Sequence, residues 1–465
     1  MMNSNDTICA IASSLTPSGI GVIRVSGDDA IKIVSKIFVN KNKQKIDISE
    51  SHKIKYGYIY DSSNNNFIDE VLIMTFIAPH SYTAENVIEI QSHGSIIVLK
   101  NILHLLTENG ARLAEPGEFT KRAFLNGRID LSKAESVSDI INSKNEYALK
   151  ASFNQLKGNL SEKINVFRNE ILEATAYIEA CLDDPEHMSL DGYKDILNTN
   201  CENIIKELEI IIKNYDNGKF IKEGINTVIL GKPNVGKSSL LNTLLNEDRA
   251  IVTDIAGTTR DTIKESINLN GITLNIIDTA GIRDEKNIDT VEKIGIDKAK
   301  KEAELADLII LVLDNSKAHD ENDLSLINLC SSLNKKTITL LNKSDLSTHK
   351  NDLSYMDKLC NPVITFSTKT KEGLLELTSS IEQMFINKEL DFNNEIFISN
   401  ERQLSLIKNA KASLLNVLTS ITNNMPEDLL TIDLTDAYTA LSQVLGIEIN
   451  DDLIDEIFSK FCMGK

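Results

Sequence analysis

Long apolar runs are missing from this chain. The longest strongly apolar stretch, 308–313, falls far short of the ~20 residues that a membrane-spanning helix needs, so no span is expected. Residues 1–7 are polar and lack a basic patch followed by an apolar core, so no secretory signal is expected either. Cysteine is scarce. The six cysteines, at positions 9, 181, 201, 330, 360 and 462, show neither metal-ligand spacing nor a disulfide framework. A reduced, cytoplasmic setting fits that usage. The seven histidines form no HExxH-type cluster, which argues against a structural zinc site. Positive charge is in deficit: the formal net charge is −19. That excludes a broad basic field for non-specific nucleic-acid binding, though not a local basic patch on one domain. Proline is rare, and the seven present leave 117–184 and 186–232 without any. No internal repeat or low-complexity linker is evident.

What is present points to several domains. A chain of 465 residues suggests about three. The first 120 or so residues read as α+β: strands at 7–12, 21–25, 55–60, 71–77 and 87–90, with helices at 28–38 and near 96–106. The proline-free stretches carry helical stripes. Ile164, Phe167, Ile171, Ala174, Ile178 and Leu182 form one, and Ile204, Leu208, Ile211 and Tyr215 another. After about residue 400 the chain reads as helical again. Leu441, Val444 and Leu445 form a patch. Asn450 caps a last helix that has Asp451 and Asp452 in its first turn. That helix is expected to bury Leu453, Ile454, Ile457, Phe458 and Phe461. Neither helical region closes a core alone, so the two are expected to pack together around an inserted central domain.

The central segment, 225–385, carries the chemistry. Gly231-Lys-Pro-Asn-Val-Gly-Lys-Ser238 fits GxxxxGK[ST] between a strand at 227–230 and a helix at 239–245. Asn234, Val235, Gly236, Lys237, Ser238 and Ser239 would surround phosphate, with Lys237 on the β- and γ-phosphates and Ser238 on Mg²⁺. Asp278, Thr279, Ala280 and Gly281 close a strand at 273–277. Asp278 can hold Mg²⁺ through water, and the Gly281 N–H can face the γ-phosphate. Asn342, Lys343 and Asp345 follow a strand at 337–341. Asp345 offers two acceptors to the N1–H and amine of guanine, which adenine cannot match. Ser367, Thr368 and Lys369 follow a strand at 363–366 and can close over the base. Four such elements, each at a strand's carboxyl end, identify a GTP site. Asn270-Gly271 between alternating runs predicts a hairpin, hence an antiparallel edge strand.

Two further segments bear on hydrolysis. The first switch contains Gly257-Thr258-Thr259-Arg260-Asp261, where Thr259 would ligate Mg²⁺, and Thr253, Asp254, Ile255 and Ala256 before it are counted with the GTP-binding residues. Arg260 reads either as a group acting in cis or at a G-domain contact, or as a surface arginine. Ile282 stands where Ras-like enzymes place a water-orienting glutamine, and isoleucine cannot do that work. Glu292 lies in the second switch region; as a bare residue it reads as solvated surface.

These motifs resemble those of a known family. Gly257-Thr-Thr-Arg-Asp261, Asp278-Thr-Ala-Gly281 with a hydrophobic residue after it, and the extended phosphate loop are similar to the tRNA-modification and ribosome-assembly GTPases. Phe461-Cys-Met-Gly-Lys465, Gly21-Val-Ile-Arg-Val-Ser-Gly27 and Pro116-Gly-Glu-Phe-Thr-Lys-Arg-Ala-Phe-Leu-Asn-Gly127 resemble the bacterial tRNA modification GTPases of the MnmE (TrmE) family over essentially the whole chain. The resemblance implies a multidomain α/β protein. An N-terminal α+β, folate-binding-like and dimerising domain would span 1–121. A discontinuous helical domain would span 122–223 and 386–465, with an inserted Ras-like P-loop GTPase domain at 224–385. It implies a tetrahydrofolate derivative held by Arg24, Glu89, Arg128 and Lys465. Position 128 is more often lysine in the family. Read without the family, Arg24 and Glu89 are a cross-strand ion pair. It implies K⁺ held by Asn234, Thr253, Ile255 and Thr258 in the place of an arginine finger, and Glu292 orienting the attacking water, although the stretch before Glu292 is two residues longer than usual. Cys462 matches a family cysteine and reads as a chemical thiol or as a small buried hydrophobe; Met463 stands where isoleucine is usual. The implied partners are a second copy, the flavoprotein MnmG and tRNA, with no DNA and no membrane. The implied reaction is GTP hydrolysis coupled to adding an aminomethyl or carboxymethylaminomethyl group at C5 of the wobble uridine. The alternatives are a ribosome-assembly GTPase of the Era/EngA type and a signalling GTPase without an RNA substrate. Neither explains the N-terminal domain.

Overall fold

The computed structural model describes residues 6–187, 189–247, 265–277, 300–346, 362–385, 396–398, 400–462 and 464. These fall into two compact units. The first draws on 1–138, 155–201 and 409–465, and the second on 139–154 and 202–408. Among the described residues no helix is long and apolar enough to cross a membrane.

The first unit is built on a seven-stranded sheet in the order β3-β4-β5-β6-β2-β1-β7. Its strands are β1 (Ile8–Ile11), β2 (Ser18–Ser26), β3 (Phe38–Val39), β4 (Lys53–Asp61), β5 (Asn66–Phe76), β6 (Val87–Gly94) and β7 (Arg112–Leu113). β3 and β7 hold two residues each, too few for an alternating pattern to register. Alternation along β2 sends Ile23 and Val25 into a core shared with the helices Ala30–Ile37 and Ile96–Glu108. Arg24, between them, therefore faces the other side of the sheet.

Helices from the two sides of the central segment pack together, although 139–154 and 202–223 fall in the second unit. The helix Asn159–Asp183 packs along the helix Glu427–Val444. Arg168 fastens them, its Nε donating to Ser442 Oγ at 2.9 Å and its Nη2 to the Tyr438 hydroxyl at 3.0 Å. Ile164, Phe167, Ile171, Ala174 and Ile178 are buried, but Leu182 is 46% exposed and Cys181 takes the last buried place. A step of four at the end of a 3.6-residue repeat overshoots the face; a step of three stays on it. Asn450 does cap the last helix, Asp451–Ser459, accepting from the Leu453 N–H at 3.1 Å. Ile454, Phe458 and Phe461 are buried, Ile457 is partly buried, and Leu453, one position before Ile454 and so on the solvent side, is 37% exposed.

The second unit has a six-stranded sheet, β13-β12-β11-β8-β10-β9. Its strands are β8 (Ile225–Leu230), β9 (Glu265–Leu269), β10 (Ile272–Ile276), β11 (Leu308–Asp314), β12 (Lys336–Asn342) and β13 (Val363–Thr365). All neighbours are parallel except β9 and β10, whose register brings Ile272 opposite Leu269. Asn270 and Gly271 join them with φ of +50° and +88°, the two left-handed positions of a two-residue hairpin turn. β11 is the longest apolar run. Leu308, Ile310 and Val312 enter one core and Ile309, Leu311 and Leu313 another, the pattern of a central parallel strand covered on both faces.

A buried ion network fixes the start of the first unit. Arg122 Nη2 donates to Asp6 Oδ1 at 2.6 Å and to Glu118 Oε1 at 3.0 Å, and Arg112 Nη2 donates to Glu118 Oε1 at 2.6 Å. Burial alone would raise the pKa of the Glu118 carboxyl. Arg112, the Glu115 N–H and Arg122 outweigh that and hold it below its ordinary 4.5. A depressed pKa means that this stability is whole above pH 4.5 and is lost as pH falls through the lower, folded-state value. We expect Glu118→Gln to lower stability by about 3 kcal/mol at neutral pH and to flatten the acid limb below that window. Calorimetric melts from pH 7 downward read both effects.

Candidate functional site

β8 runs into a loop that the sheet forces to be tight. A Cβ at Gly231 would stand 2.5 Å from the Val312 carbonyl oxygen, and one at Gly236 would stand 2.3 Å from Asn342 Nδ2. Gly236 also has φ +106° and Asn234 has φ +63°, so the loop curls on left-handed positions. It opens the helix Lys237–Glu247, whose first N–H groups have no intrahelical partner. Loop and helix end together form a cradle for an anion. Val235, 2% exposed, roots the loop in the core. Lys237 Nζ lies across the loop, donating to the Gly231 and Lys232 carbonyls at 3.0 and 2.8 Å. Ser238 and Ser239 occupy the first turn behind it.

The ends of the next two strands are stitched to this loop. Asn342, 1% exposed, donates from Nδ2 to the Val235 carbonyl at 2.8 Å and accepts at Oδ1 from the Thr368 N–H at 3.3 Å. Lys343 Nζ donates to the Asn234 carbonyl at 2.9 Å and to Asp314 Oδ2 at 2.7 Å. Burial pushes the Asp314 carboxyl up, but Lys343 and Ser316 outweigh it and hold it below its ordinary value. Asp345 Oδ1 accepts from the fully buried Ser367 Oγ at 2.9 Å, so the carboxylate is oriented before any base arrives. Thr368 and Lys369 continue the same loop.

Two supports were missed from the sequence. Asp314 ends β11, and its position at a strand's carboxyl end was the available signal. Lys232 reaches Asp320 and Asp323, both at 2.7 Å, where these two residues form the capping box of the helix Glu321–Ser332. Nothing in the loop motif indicates that tie.

The structure thus brings together Asn234, Val235, Gly236, Lys237, Ser238, Ser239, Asn342, Lys343, Asp345, Ser367, Thr368 and Lys369. Thr253, Asp254, Ile255, Ala256, Gly257, Thr258, Thr259, Arg260, Asp278, Thr279, Ala280, Gly281, Ile282 and Glu292 lie outside the described residues.

A second constellation sits on the face of the first unit's sheet opposite the core of Ile23 and Val25. Arg24 and Glu89 are paired in register across β2 and β6. Arg24 Nε and Nη2 donate to Glu89 Oε1 at 2.9 and 2.8 Å, and Nη1 donates to the Gly464 carbonyl at 3.3 Å. The cross-strand ion pair is present. Arg128 Nη1 donates to the Tyr82 carbonyl at 2.7 Å. Gly464 has φ +83° and backs onto β1, where a Cβ would stand 2.4 Å from the Ile11 carbonyl oxygen. Cys462 is exposed, which removes the buried-hydrophobe reading; its carbonyl accepts from the Gly117 N–H at 3.4 Å. Lys465 lies outside the described residues.

The comparisons with known proteins cover the stretches that carry both constellations. A family described as the GTP-binding protein TrmE N-terminus matches residues 7–128, and the MnmE helical domain matches 131–462. A tRNA modification GTPase MnmE of Lachnoclostridium phytofermentans is 49% identical over 461 residues, covering 99% of both chains. Its counterpart in Acetivibrio thermocellus is 45% identical over 466 residues, covering 100% of both. That of Bacillus subtilis is 41% identical over 463 residues, covering 99% of this chain and 100% of its own. The chain belongs to the MnmE family of tRNA modification GTPases. MnmE membership sets aside the Era/EngA and signalling alternatives, because it extends across the N-terminal sheet and the last helices as well as the nucleotide site. The fold follows suit: an N-terminal α+β domain of the TrmE type, a discontinuous helical domain and a P-loop GTPase sheet.

The close approach of Asn342 to Gly236 gives a direct test. Gly236→Ala adds both a clash and an unfavourable left-handed residue. We expect GDP and GTP to bind at least about tenfold more weakly, read with a fluorescent guanine nucleotide.

Proposed function

We propose that this GTPase is potassium-dependent and works on tRNA with the flavoprotein MnmG. Together they would add an aminomethyl or carboxymethylaminomethyl group at C5 of the wobble uridine. The observation that carries this reading is the joint presence of a guanine-nucleotide cradle and a separate Arg24–Glu89–Arg128 constellation in one MnmE-family chain. The domain boundaries at 121/122, 223/224 and 385/386 belong to the same reading, as do a homodimer formed through the N-terminal domain and a cytoplasmic setting.

In the nucleotide site, Lys237 exchanges its loop carbonyls for the β- and γ-phosphates. Asp345, already oriented by Ser367, accepts from guanine N1–H and the exocyclic amine. The hydroxyls of Ser238 and Thr259 are hard oxygen donors that suit Mg²⁺, with Asp278 reaching it through water. Asn234, the carbonyls of Thr253 and Ile255, and Thr258 supply oxygen ligands of the kind K⁺ takes. Bound Mg²⁺ and K⁺ would offset charge developing on the phosphates. Glu292 orients the attacking water, the task Ile282 cannot perform. Arg260 is assigned to the same contact region.

In the sheet site, two guanidinium groups against one carboxylate fit a reduced folate. Arg24, Arg128 and Lys465 would offer charged donors to its acceptor oxygens, and Glu89 would accept from its N–H groups. The folate derivative, in its 5-formyl or 5,10-methylene form, would supply the one-carbon unit. Cys462, exposed at the end of the chain's last described turn, lines this site.

Nucleoside analysis of tRNA tests the function as a whole. Cells lacking the gene should lose the C5-modified wobble uridine; an unchanged nucleoside profile would reject the reading. For the purified protein, turnover in K⁺ should exceed that in Na⁺ by about tenfold or more, because the ion stands in for an arginine finger. Equal rates in the two salts would remove the potassium assignment.

A further inference from the structure

Tyr82 was singled out neither by a motif nor by spacing, yet both arginines of the sheet site converge on it. The Arg24 guanidinium carbon lies 4.9 Å from the Tyr82 ring centroid, and that of Arg128 lies 5.0 Å from it. The Tyr82 carbonyl accepts from Arg128 Nη1 at 2.7 Å. The ring is itself held in place. Its hydroxyl bonds the fully buried Thr120 Oγ1 at 2.8 Å, and it packs against the cluster of Ile8, Ala10, Ala114 and Phe119. The next residue is fixed as well: Thr83 Oγ1 bonds Ser26 Oγ at 2.7 Å, and the Thr83 carbonyl accepts from Asn126 Nδ2 at 2.7 Å.

Two guanidinium groups in one small region repel each other, and among the described residues Glu89 engages only Arg24. An aromatic ring offsets this repulsion by presenting negative π-density to each cation. We propose that Tyr82 is a positioning residue of the folate site, its ring holding the Arg24 and Arg128 guanidinium groups as one donor surface for the ligand. The proposal rests on the folate reading above. It adds that the ring, and not the hydroxyl, sets the affinity. A rigid pair also loses less conformational freedom on binding than two free arginines would.

The test is isothermal calorimetry of the full chain with 5-formyltetrahydrofolate, on the native protein, Tyr82→Phe, Tyr82→Leu and Arg24→Ala. Circular dichroism and melting temperature check that each variant is folded. Phenylalanine keeps the π-face and drops the Thr120 bond, whereas leucine fills the space without a π-face. We expect Phe within about threefold of native affinity and Leu weaker by about tenfold or more. Native-like binding by a folded Tyr82→Leu, with Arg24→Ala dead, would overturn the Tyr82 role and leave the folate site standing. Equal loss in Phe and Leu would transfer the role to the hydroxyl and overturn the ring proposal. No binding by the native chain would overturn the folate reading and this proposal with it.

Discussion

Arg24 joins parts of the chain that lie 440 residues apart. Its guanidinium is shared between Glu89, its cross-strand neighbour, and the carbonyl of Gly464. That bond adds to the helix packing of the first unit, which is assembled from three separate stretches, 1–138, 155–201 and 409–465. The end of the last stretch also makes backbone contacts that tolerate no side chain. Gly464 meets the Ile11 carbonyl, and Gly117 meets the carbonyl of Phe458. Arginine suits the junction because its planar fork offers donors in several directions at once; a lysine would supply a point charge and lose the geometry. The ion pair thus holds Arg24 where the Gly464 carbonyl can share its guanidinium.

The nucleotide site obeys a similar rule with neutral groups. Asn342 is buried, and its amide bonds the phosphate loop at one end and the base loop at the other. Such an amide needs both partners, since each unsatisfied buried polar group costs about 1–3 kcal/mol. The requirement runs back to glycine at 236, where no Cβ leaves room for Nδ2. Lys343 repeats the tie from Asn234 to Asp314. A site braced in this way holds its donors in position without a ligand, which reduces the ordering that binding must accomplish.

Legibility from sequence followed the length scale of the constraint. Gly231, Gly236, Lys237 and Asp345 were readable because phosphate and guanine recognition demand fixed residue types at fixed offsets from a strand end. The Asn270-Gly271 hairpin was readable because its turn requires two left-handed residues. Arg24 and Glu89 were readable as a pair, since register follows from two alternating strands. Tyr82 and Asp314 were not, because each acts on a residue distant in sequence from a loop or strand end that has no pattern of its own. Leu182 and Leu453 failed for a smaller reason. Near a helix end, one residue of phase decides between core and solvent.

Asn145 carries the same lesson into the moving part of a GTPase. It is buried, and its Nδ2 donates to the Ile221 carbonyl at 2.9 Å and to Thr273 Oγ1 at 3.1 Å. Tyr147 lies beneath Gly271, where a Cβ would come within 2.7 Å of its ring, and Asn268 Nδ2 reaches the Lys144 carbonyl at 3.3 Å. At the other end of the ribbon, Asn275 Nδ2 donates to the Glu223 carbonyl at 2.8 Å. Three of these bonds, from Asn145 to Thr273, Asn268 to Lys144 and Asn275 to Glu223, fall on one hairpin, 265–277, which connects the segments 248–264 and 278–299 where the two switches were expected. The hairpin is pinned by polar bonds to Lys144, Asn145 and Glu223, and by the packing of Tyr147 under its turn. It is therefore a fixed bar between the two segments. Its anchors at 144, 145 and 223 fall in 122–223, which the family resemblance assigned to the helical domain and not to the nucleotide sheet.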